Sequence, residues 1–284
     1  MGTLYKLSGA GNDFIVLDGR SGGVDEYRKE VTIKTSCDRN TGFKAADGRV
    51  GADGVMILSS SVDGAWDFVM EYFNSDGSSG MMCGNGGRCI VAFADFMGIV
   101  PANGKFYEFL AADGPHTGEI LGRDGHSCTV KLKMKDVSEY RRCTDGWFLD
   151  TGTRHFVKFV DDVEAVDIAT EGPRYRWSEE FAPIGANVNF VQVLPDGSLK
   201  VRTFEKGVED ETLACGTGIT ASALAAQLEA WHKDAGTDTP ASSGTTAKSI
   251  HTAVHARIDE LAVDFTPSGS IFTDVFLTGP AALI

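Results

Sequence analysis

A cysteine followed by Gly-x-Gly occurs twice in this chain, each time after a similar run of residues and each time at the start of what reads as a long helix. The first copy is YFNSDGSSGMMCGNG at 72–86 and the second TFEKGVEDETLACGTG at 203–218. Both pass from an aromatic strand end through an acidic, Gly-containing loop into Cys-Gly-x-Gly, and the two loops differ in length by one residue. NDFIVL at 12–17 and NVNFVQVL at 187–194 echo each other too, an Asn followed shortly by Phe and a β-branched run. An internal repeat on this scale constrains the fold more than composition does, because each half must bury its own helix. The expectation is two similar α+β lobes, each wrapping strands around one central helix.

The rest of the chain reads mainly as strand. Segments 13–18, 54–59, 67–73 and 106–112 are short, rich in Val, Ile, Phe and Tyr, and bounded by Gly or Asp-Gly. Similar runs follow at 128–134, 155–160, 188–194, 199–204, 253–257, 260–265 and 271–277. Only 84–97 and 217–232 read as long helices, and their apolar residues spread around most of the circumference, so both are expected to be buried. The polar stretches 40–48 and 234–248 read as surface loops.

With 284 residues the chain is long enough for two ordinary lobes with sizeable cores. A formal charge of −14 without a Lys/Arg cluster argues against nucleic acid as a partner, since binding a polyanion needs clustered cations. The first residues, MGTLYKLSGAGNDF, lack the cationic start and apolar core of a signal peptide, and no segment approaches the ~20 apolar residues of a membrane span. A cytoplasmic protein without membrane partners is expected. Six cysteines (Cys37, Cys83, Cys89, Cys128, Cys143, Cys215) are scattered without CxxC or zinc-site spacing, which argues for thiols rather than disulfides and against a metal site.

A cysteine at the first turn of a helix sits in the positive field of the helix dipole, beside backbone N–H groups that have no partner within the helix. The glycines that follow let a ligand approach that backbone, where the same N–H groups cradle a carboxylate. Two such devices suggest two thiols acting on one substrate from opposite sides, one accepting a proton as thiolate and the other donating one as thiol. That chemistry inverts a stereocentre. Removing the α-proton of an amino acid places carbanion charge next to its carboxylate, and donors aimed at the carboxylate stabilise that state without a cofactor. The other four cysteines lack the glycine context, and Cys89 falls inside a helix expected to be buried.

GAGNDF near the N-terminus, FNSDG and CGNGGR in the middle and FEKG with ETLACGTG late in the chain resemble the diaminopimelate epimerase family, from residue 3 to about 225 and more loosely to the end. Four motifs in order at compatible spacing are far more specific than any one alone. The resemblance implies a cofactor-independent isomerase interconverting L,L- and meso-diaminopimelate, in lysine and peptidoglycan precursor synthesis. It implies two lobes, each a curved, mainly antiparallel sheet wrapped around a central helix, with the active site in the cleft between them. We place the lobes at 1–118 plus 266–284 and at 119–265. A homodimer is a further expectation.

Residue by residue, Cys83 and Cys215 match the two catalytic cysteines. Asn12, Asn74 and Asn187 match side chains that hydrogen-bond the substrate, and Gly84 with Asn85 and Gly216 with Thr217 match the backbone cradles. Glu205 and Lys206 match a Glu-Arg pair, Lys keeping the charge without the bidentate fork, and Glu205 would hold the substrate ammonium. His155 matches a histidine that, with Glu205, adjusts the ionisation of the thiols. Thr153 and Arg154 stand where the family commonly has Asn-Pro or Ser-Pro, and ADG stands for FDQ, so Gly54 offers no side chain. A proline or hydroxyproline racemase using the same cysteine pair is the nearest alternative. A thiol-redox protein with a reversible Cys83–Cys215 disulfide and a non-catalytic amino-acid binding module are the alternatives from other classes. The three matched asparagines favour diaminopimelate, whose distal ammonium and carboxylate need polar contacts of their own.

Overall fold

The computed structural model describes residues 2–80, 82–235 and 248–284. Two compact units divide the chain, Met1–Leu132 with Gly279–Ile284, and Lys133–Thr278. These borders differ from the expected 118/119 and 265/266, because the strands flanking each expected border pair onward within the same unit.

In the first unit the strands are β1 (Tyr5–Gly9), β2 (Asn12–Asp18), β3 (Gly54–Ser59), β4 (Phe68–Asn74), β5 (Tyr107–Ala111), β6 (Gly114–Asp124) and β7 (Ser127–Lys133), with helices α1 (Glu30–Cys37) and α2 (Gly84–Phe96). They hydrogen-bond in sequence order, parallel only at β2/β3 and β4/β5. The chain's last residues complete the sheet: Gly279–Ala282 pair with β7, and Ala282 and Leu283 pair with β1, closing the strands into a ring.

Alternation along β2 and β3 sends the two rows of side chains to two helices. Ile15, Leu17, Val55 and Ile57 pack with Ile33 and Cys37 of α1, while α2 packs on β1, β2, β3 and β6. From Gly84 to Ala94 every residue of α2 is buried, as the all-round apolar pattern predicted. Burying each large apolar side chain contributes roughly 1.5–3 kcal/mol, so this shared core dominates the unit's stability.

The second unit repeats the plan. Its strands are β8 (Tyr140–Cys143), β9 (Gly146–Asp150), β10 (Arg154–Phe159), β11 (Asn187–Val193), β12 (Leu199–Glu205), β13 (Asp210–Thr212), β14 (Ile250–His255), β15 (Glu260–Ser268) and β16 (Ile271–Leu283, to Thr278 in this unit), with α3 (Ile168–Arg176) and α4 (Gly216–Ala235). The order is β16-β15-β14-β12-β11-β10-β9-β8, β13 lies on β12, and only β10/β11 and β12/β14 are parallel. Phe156, Val188, Phe190 and Phe204 form one face and pack with Ile168, Tyr175 and Phe181 around α3. On the other face α4 packs against β9 to β12, β14 and β15, and all but Thr217 of its first ten residues are buried.

Elements that the sequence pattern did not show carry weak local signals. The eight residues of α1 include four β-branched side chains, and α3 contains Gly172 and Pro173, which read as turn. A Cβ on Gly172 would stand 2.5 Å from the Phe204 ring, so the glycine is what lets α3 lie close on β12. In β6, PHTGEILGRD breaks register between Ile120 and Gly122, and this bulge blurs the strand period. Residues 40–48 are irregular, as expected, with Lys44 bridged to Val50. Residues 236–247, most of the second expected loop, lie outside the described residues. Among the described residues no helix is long and apolar enough to cross a membrane.

Candidate active site

Cys83 is the N-cap of α2. Its backbone is extended, its carbonyl accepts the first helical bond from Gly87 N–H at 2.8 Å, and its Sγ accepts from Gly86 N–H at 3.2 Å. A sulfur held against a helix N-terminus in this way faces backbone dipoles that stabilise negative charge. Gly86 leaves that bond room, since a Cβ there would stand 3.2 Å from Sγ.

Around it the first unit ties its polar side chains into one chain of bonds. Asp53 accepts from Asn12 Nδ2 at 2.9 Å, Asn12 Oδ1 accepts from Asn85 Nδ2 at 2.7 Å, and Asn85 Oδ1 accepts from Arg88 Nη2 at 2.9 Å. Both amide orientations follow from the ends: a carboxylate only accepts and a guanidinium only donates. Asn12 keeps one N–H beyond those bonds. Arg88 is fully buried and also donates to the carbonyls of Gly84 (3.1 Å) and Pro280 (3.3 Å), fixing the first turn of α2. Asp53 is in turn ion-paired to Arg39, which reaches Asp13 at 2.7 Å, and Asp13 lies 2.7 Å from the buried Lys6 ammonium.

Neither Asp53 nor Arg88 stood among the site residues expected from the sequence. A lone arginine inside an otherwise apolar helix was the available signal for Arg88. Asn74 behaves differently from Asn12: at the end of β4 it donates to Ser78 Oγ at 3.0 Å, within its own turn. Gly54 has no room for a side chain, because a Cβ would lie 2.4 Å from the Phe73 carbonyl and 2.6 Å from the Tyr72 ring. Tyr72 fills that space, and burial first, then the charge of Cys83, push its phenol above the usual range.

In the second unit Cys215 stands directly before α4, and its carbonyl accepts from Ile219 N–H at 2.8 Å, the counterpart of the Cys83 bond. Its Sγ lies 3.4 Å from the Thr217 hydroxyl, which lies 2.9 Å from His155 Nε2 and 3.1 Å from the Thr153 hydroxyl. Thr153 is itself 2.9 Å from the same Nε2, so it joins the cluster despite departing from the family residue. On its other side His155 Nδ1 meets Asn189 Nδ2 at 3.0 Å. His155 is fully buried, and burial pushes its pKa down to about 3, against a small opposing pull from Asp150. At neutral pH it is uncharged, so it acts on its neighbours through hydrogen bonds and not through positive charge.

Asn187 ties two segments together, donating to the Arg154 carbonyl at 3.0 Å and accepting from Lys206 N–H at 2.8 Å. Lys206 thus enters the cluster through its backbone. Glu205, at the end of β12, accepts from the Thr212 hydroxyl at 2.9 Å. Arg154 points to the opposite face, stacked on Phe148 with its guanidinium 5.2 Å from the ring centre. Asn189 was not singled out from the sequence, although NVNF places it two residues from Asn187 and therefore on the same face of β11.

All six cysteines are free thiols; Cys37, Cys89, Cys143 and Cys215 are buried, Cys83 and Cys128 partly so. Burial raises Cys37 to about 11, Cys89 to about 12 and Cys143, with help from Glu180, to about 12, so none of these three is a ready thiolate. Among the described residues no group of three or more His, Cys, Asp or Glu is placed to hold a metal ion.

A sequence model of the family described as diaminopimelate epimerase matches residues 4–131 and 147–265. The diaminopimelate epimerase of Flavobacterium psychrophilum is 38% identical over 283 residues, covering 99% of this chain and 97% of the relative. That of Chlorobaculum tepidum is 43% identical over 226 residues, 77% of this chain and 80% of the relative. Among solved structures, a PhzF-family phenazine biosynthesis protein of Bacillus anthracis superposes with a TM-score of 0.66 at 11% identity, covering 99% of this chain and 96% of the other. A probable proline racemase of Agrobacterium radiobacter superposes with a TM-score of 0.61 at 17% identity, covering 99% and 90%. At those identities the structures share the fold, while the sequence relatives carry the enzyme class, an isomerase. The chain belongs to the diaminopimelate epimerase family.

Proposed function

We propose that the chain interconverts L,L- and meso-diaminopimelate without a cofactor, by proton transfer between Cys83, Cys215 and one α-carbon. The observation that carries this reading is the repeated device: in each unit a cysteine opens the long buried helix, and its own carbonyl takes the helix's first hydrogen bond. A single reactive thiol would not need the second copy.

In the proposed reaction one cysteine, as thiolate, removes the α-proton and becomes a thiol. The electron pair left on carbon is delocalised toward the carboxylate, which the backbone N–H groups of Gly84 and Asn85 on one helix and of Gly216 and Thr217 on the other would hold. The second cysteine, as thiol, delivers its proton to the opposite face and becomes the thiolate. The α-carbon is inverted, one proton has been taken and one given, and the reverse reaction starts with the roles exchanged. Glu205 would accept from the α-ammonium. Asn12, Asn74, Asn187 and Lys206 would bind the distal amino-acid end, Asn74 by exchanging its bond to Ser78 for one to substrate.

Arg88 and Asp53 serve this reading by fixing Asn85 and Asn12 before substrate arrives, which removes ordering cost from binding. The test is formation of meso-diaminopimelate from the L,L isomer by the reduced protein, with L-proline and trans-4-hydroxy-L-proline in parallel. Turnover of diaminopimelate, lost in both Cys83→Ala and Cys215→Ala, is expected. Racemisation of proline with no turnover of diaminopimelate would replace the substrate, and full activity in either cysteine variant would remove the two-thiol mechanism.

A further inference from the structure

The bonds around Asn189 fix more than its own position. Its Nδ2 lies 3.1 Å from the Phe156 carbonyl and 3.0 Å from His155 Nδ1, and its Oδ1 lies 2.9 Å from the Thr203 hydroxyl. A backbone carbonyl only accepts, so the amide must turn its NH2 toward Phe156, and the other hydrogen of that NH2 then points at Nδ1. His155 Nδ1 is therefore an acceptor without a proton. Because the buried ring is neutral, its one N–H is on Nε2.

Direction then propagates toward the sulfur. Nε2–H donates to Thr217 or Thr153, both 2.9 Å away, so neither hydroxyl can spend its own hydrogen on the ring. If Thr153 takes the ring proton, its hydroxyl can donate to Thr217 at 3.1 Å; in either case the Thr217 hydrogen is available to Cys215 Sγ at 3.4 Å, which as a thiolate only accepts. The opposite tautomer would draw a hydroxyl hydrogen back to the ring and away from the thiolate. Gly218 keeps the assembly possible, since a Cβ there would stand 2.3 Å from Asn189 Oδ1 and 3.2 Å from the His155 ring.

We propose that Asn189 is a positioning residue for Cys215: it holds His155 as the Nε2–H tautomer, so that a one-way chain of hydrogen bonds through Thr217 ends as a donor to the Cys215 sulfur. This rests on the reading of Cys215 as a working thiol and adds a residue and a direction to it. The chain lies wholly in the second unit, on the face shared by β10, β11, β12 and the start of α4.

The experiment uses the full chain labelled with 15N-histidine, with the His155 signals identified by their loss in His155→Gln. In the wild type, His155 Nδ1 is expected at the shift of an unprotonated ring nitrogen and Nε2 at that of a protonated one. In Asn189→Asp the carboxylate facing Nδ1 is expected to reverse the assignment. A second readout is the rate at which iodoacetamide alkylates Cys215 at neutral pH, followed on its own peptide by mass spectrometry. One hydrogen bond to a charged sulfur corresponds to roughly a tenfold change, so Asn189→Asp and Thr217→Val should each react about tenfold more slowly. Thr217→Ser should restore the wild-type rate, and Thr217→Val should leave the His155 tautomer unchanged. A protonated Nδ1 in the wild type overturns the proposal, as does a Cys215 rate that is the same in Thr217→Val, Thr217→Ser and the wild type; the Thr217 pair keeps the test decisive if Asn189→Asp does not fold. Neither readout uses an amino-acid substrate, so inactivity toward diaminopimelate leaves both interpretable, and failure of either leaves the epimerase reading standing.

Discussion

His155 makes the stability of the second unit depend on pH in a way that can be worked out in advance. Burial lowers its pKa to about 3 in the folded chain, against an ordinary value of 6.5 when exposed. Between those values the unfolded chain binds a proton that the folded chain does not, so stability is fully present above about pH 6.5 and is lost as pH falls toward 3. Integrating from pH 7 to pH 5, the unfolded imidazole gains nearly a full proton and the folded one almost none, a loss of about 2 kcal/mol from this residue alone. Urea unfolding at the two pH values reads the loss, followed by tryptophan fluorescence, since Trp147, Trp177 and Trp231 all lie in the second unit. His155→Gln is the comparison: its amide cannot titrate, while every other residue is the same in the two proteins. The wild type should lose about 2 kcal/mol more than the variant between pH 7 and pH 5. Equal losses would refute the view of His155 as a ring buried neutral, and with it the tautomer argument built on that neutrality.

Other expectations follow from single contacts. Arg88→Met keeps a long apolar stem but removes the donors to Gly84, Asn85 and Pro280, and stranding those acceptors should cost about 2–4 kcal/mol, lowering Tm by roughly 5–12 °C in calorimetry. Gly218→Ala tests sign: helix propensity favours alanine by about 1 kcal/mol, but contact with Asn189 and His155 should turn that into a net loss of about 1–3 kcal/mol in chemical unfolding. Under limiting iodoacetamide, Cys83 should be modified well before Cys37, Cys89 and Cys143, whose burial raises their pKa values; mass spectrometry of the peptides gives the order.

The two long helices and the strands of alternating or continuous apolar character were legible because each is long enough for its period to show. So was the internal duplication, which the structure extends to a second helix on the outer face of each sheet, α1 and α3. Those two helices were not legible: their local residues favour strand or turn, and what makes them helical is packing, Ile33 and Cys37 on β2 and β3, Tyr175 on Phe156 and Phe190. The candidate site residues were singled out through their motifs. Their supports were not: Asp53 and Asn189 act across the sheet on residues 41 and 34 positions away, and Arg88, besides holding Asn85 within its own helix, reaches the Pro280 carbonyl 192 positions on; no local pattern reports a partner at such separations. The neutrality of His155 is of the same kind, since it depends on burial against β11 and the start of α4, both distant in sequence.

The central claim is that two thiols divide the work on one carbon, and isotope exchange during epimerisation tests it most directly. The reduced protein is incubated with L,L-diaminopimelate in D2O and stopped at low conversion, and both isomers are recovered and examined by mass spectrometry. If one cysteine removes the α-proton and the other delivers a solvent-derived one, meso product should carry one α-deuterium while recovered L,L substrate carries almost none. Deuterium in substrate and product alike from the earliest times, or product formed without deuterium, would contradict the account, because either pattern places a single group on both sides of the exchange.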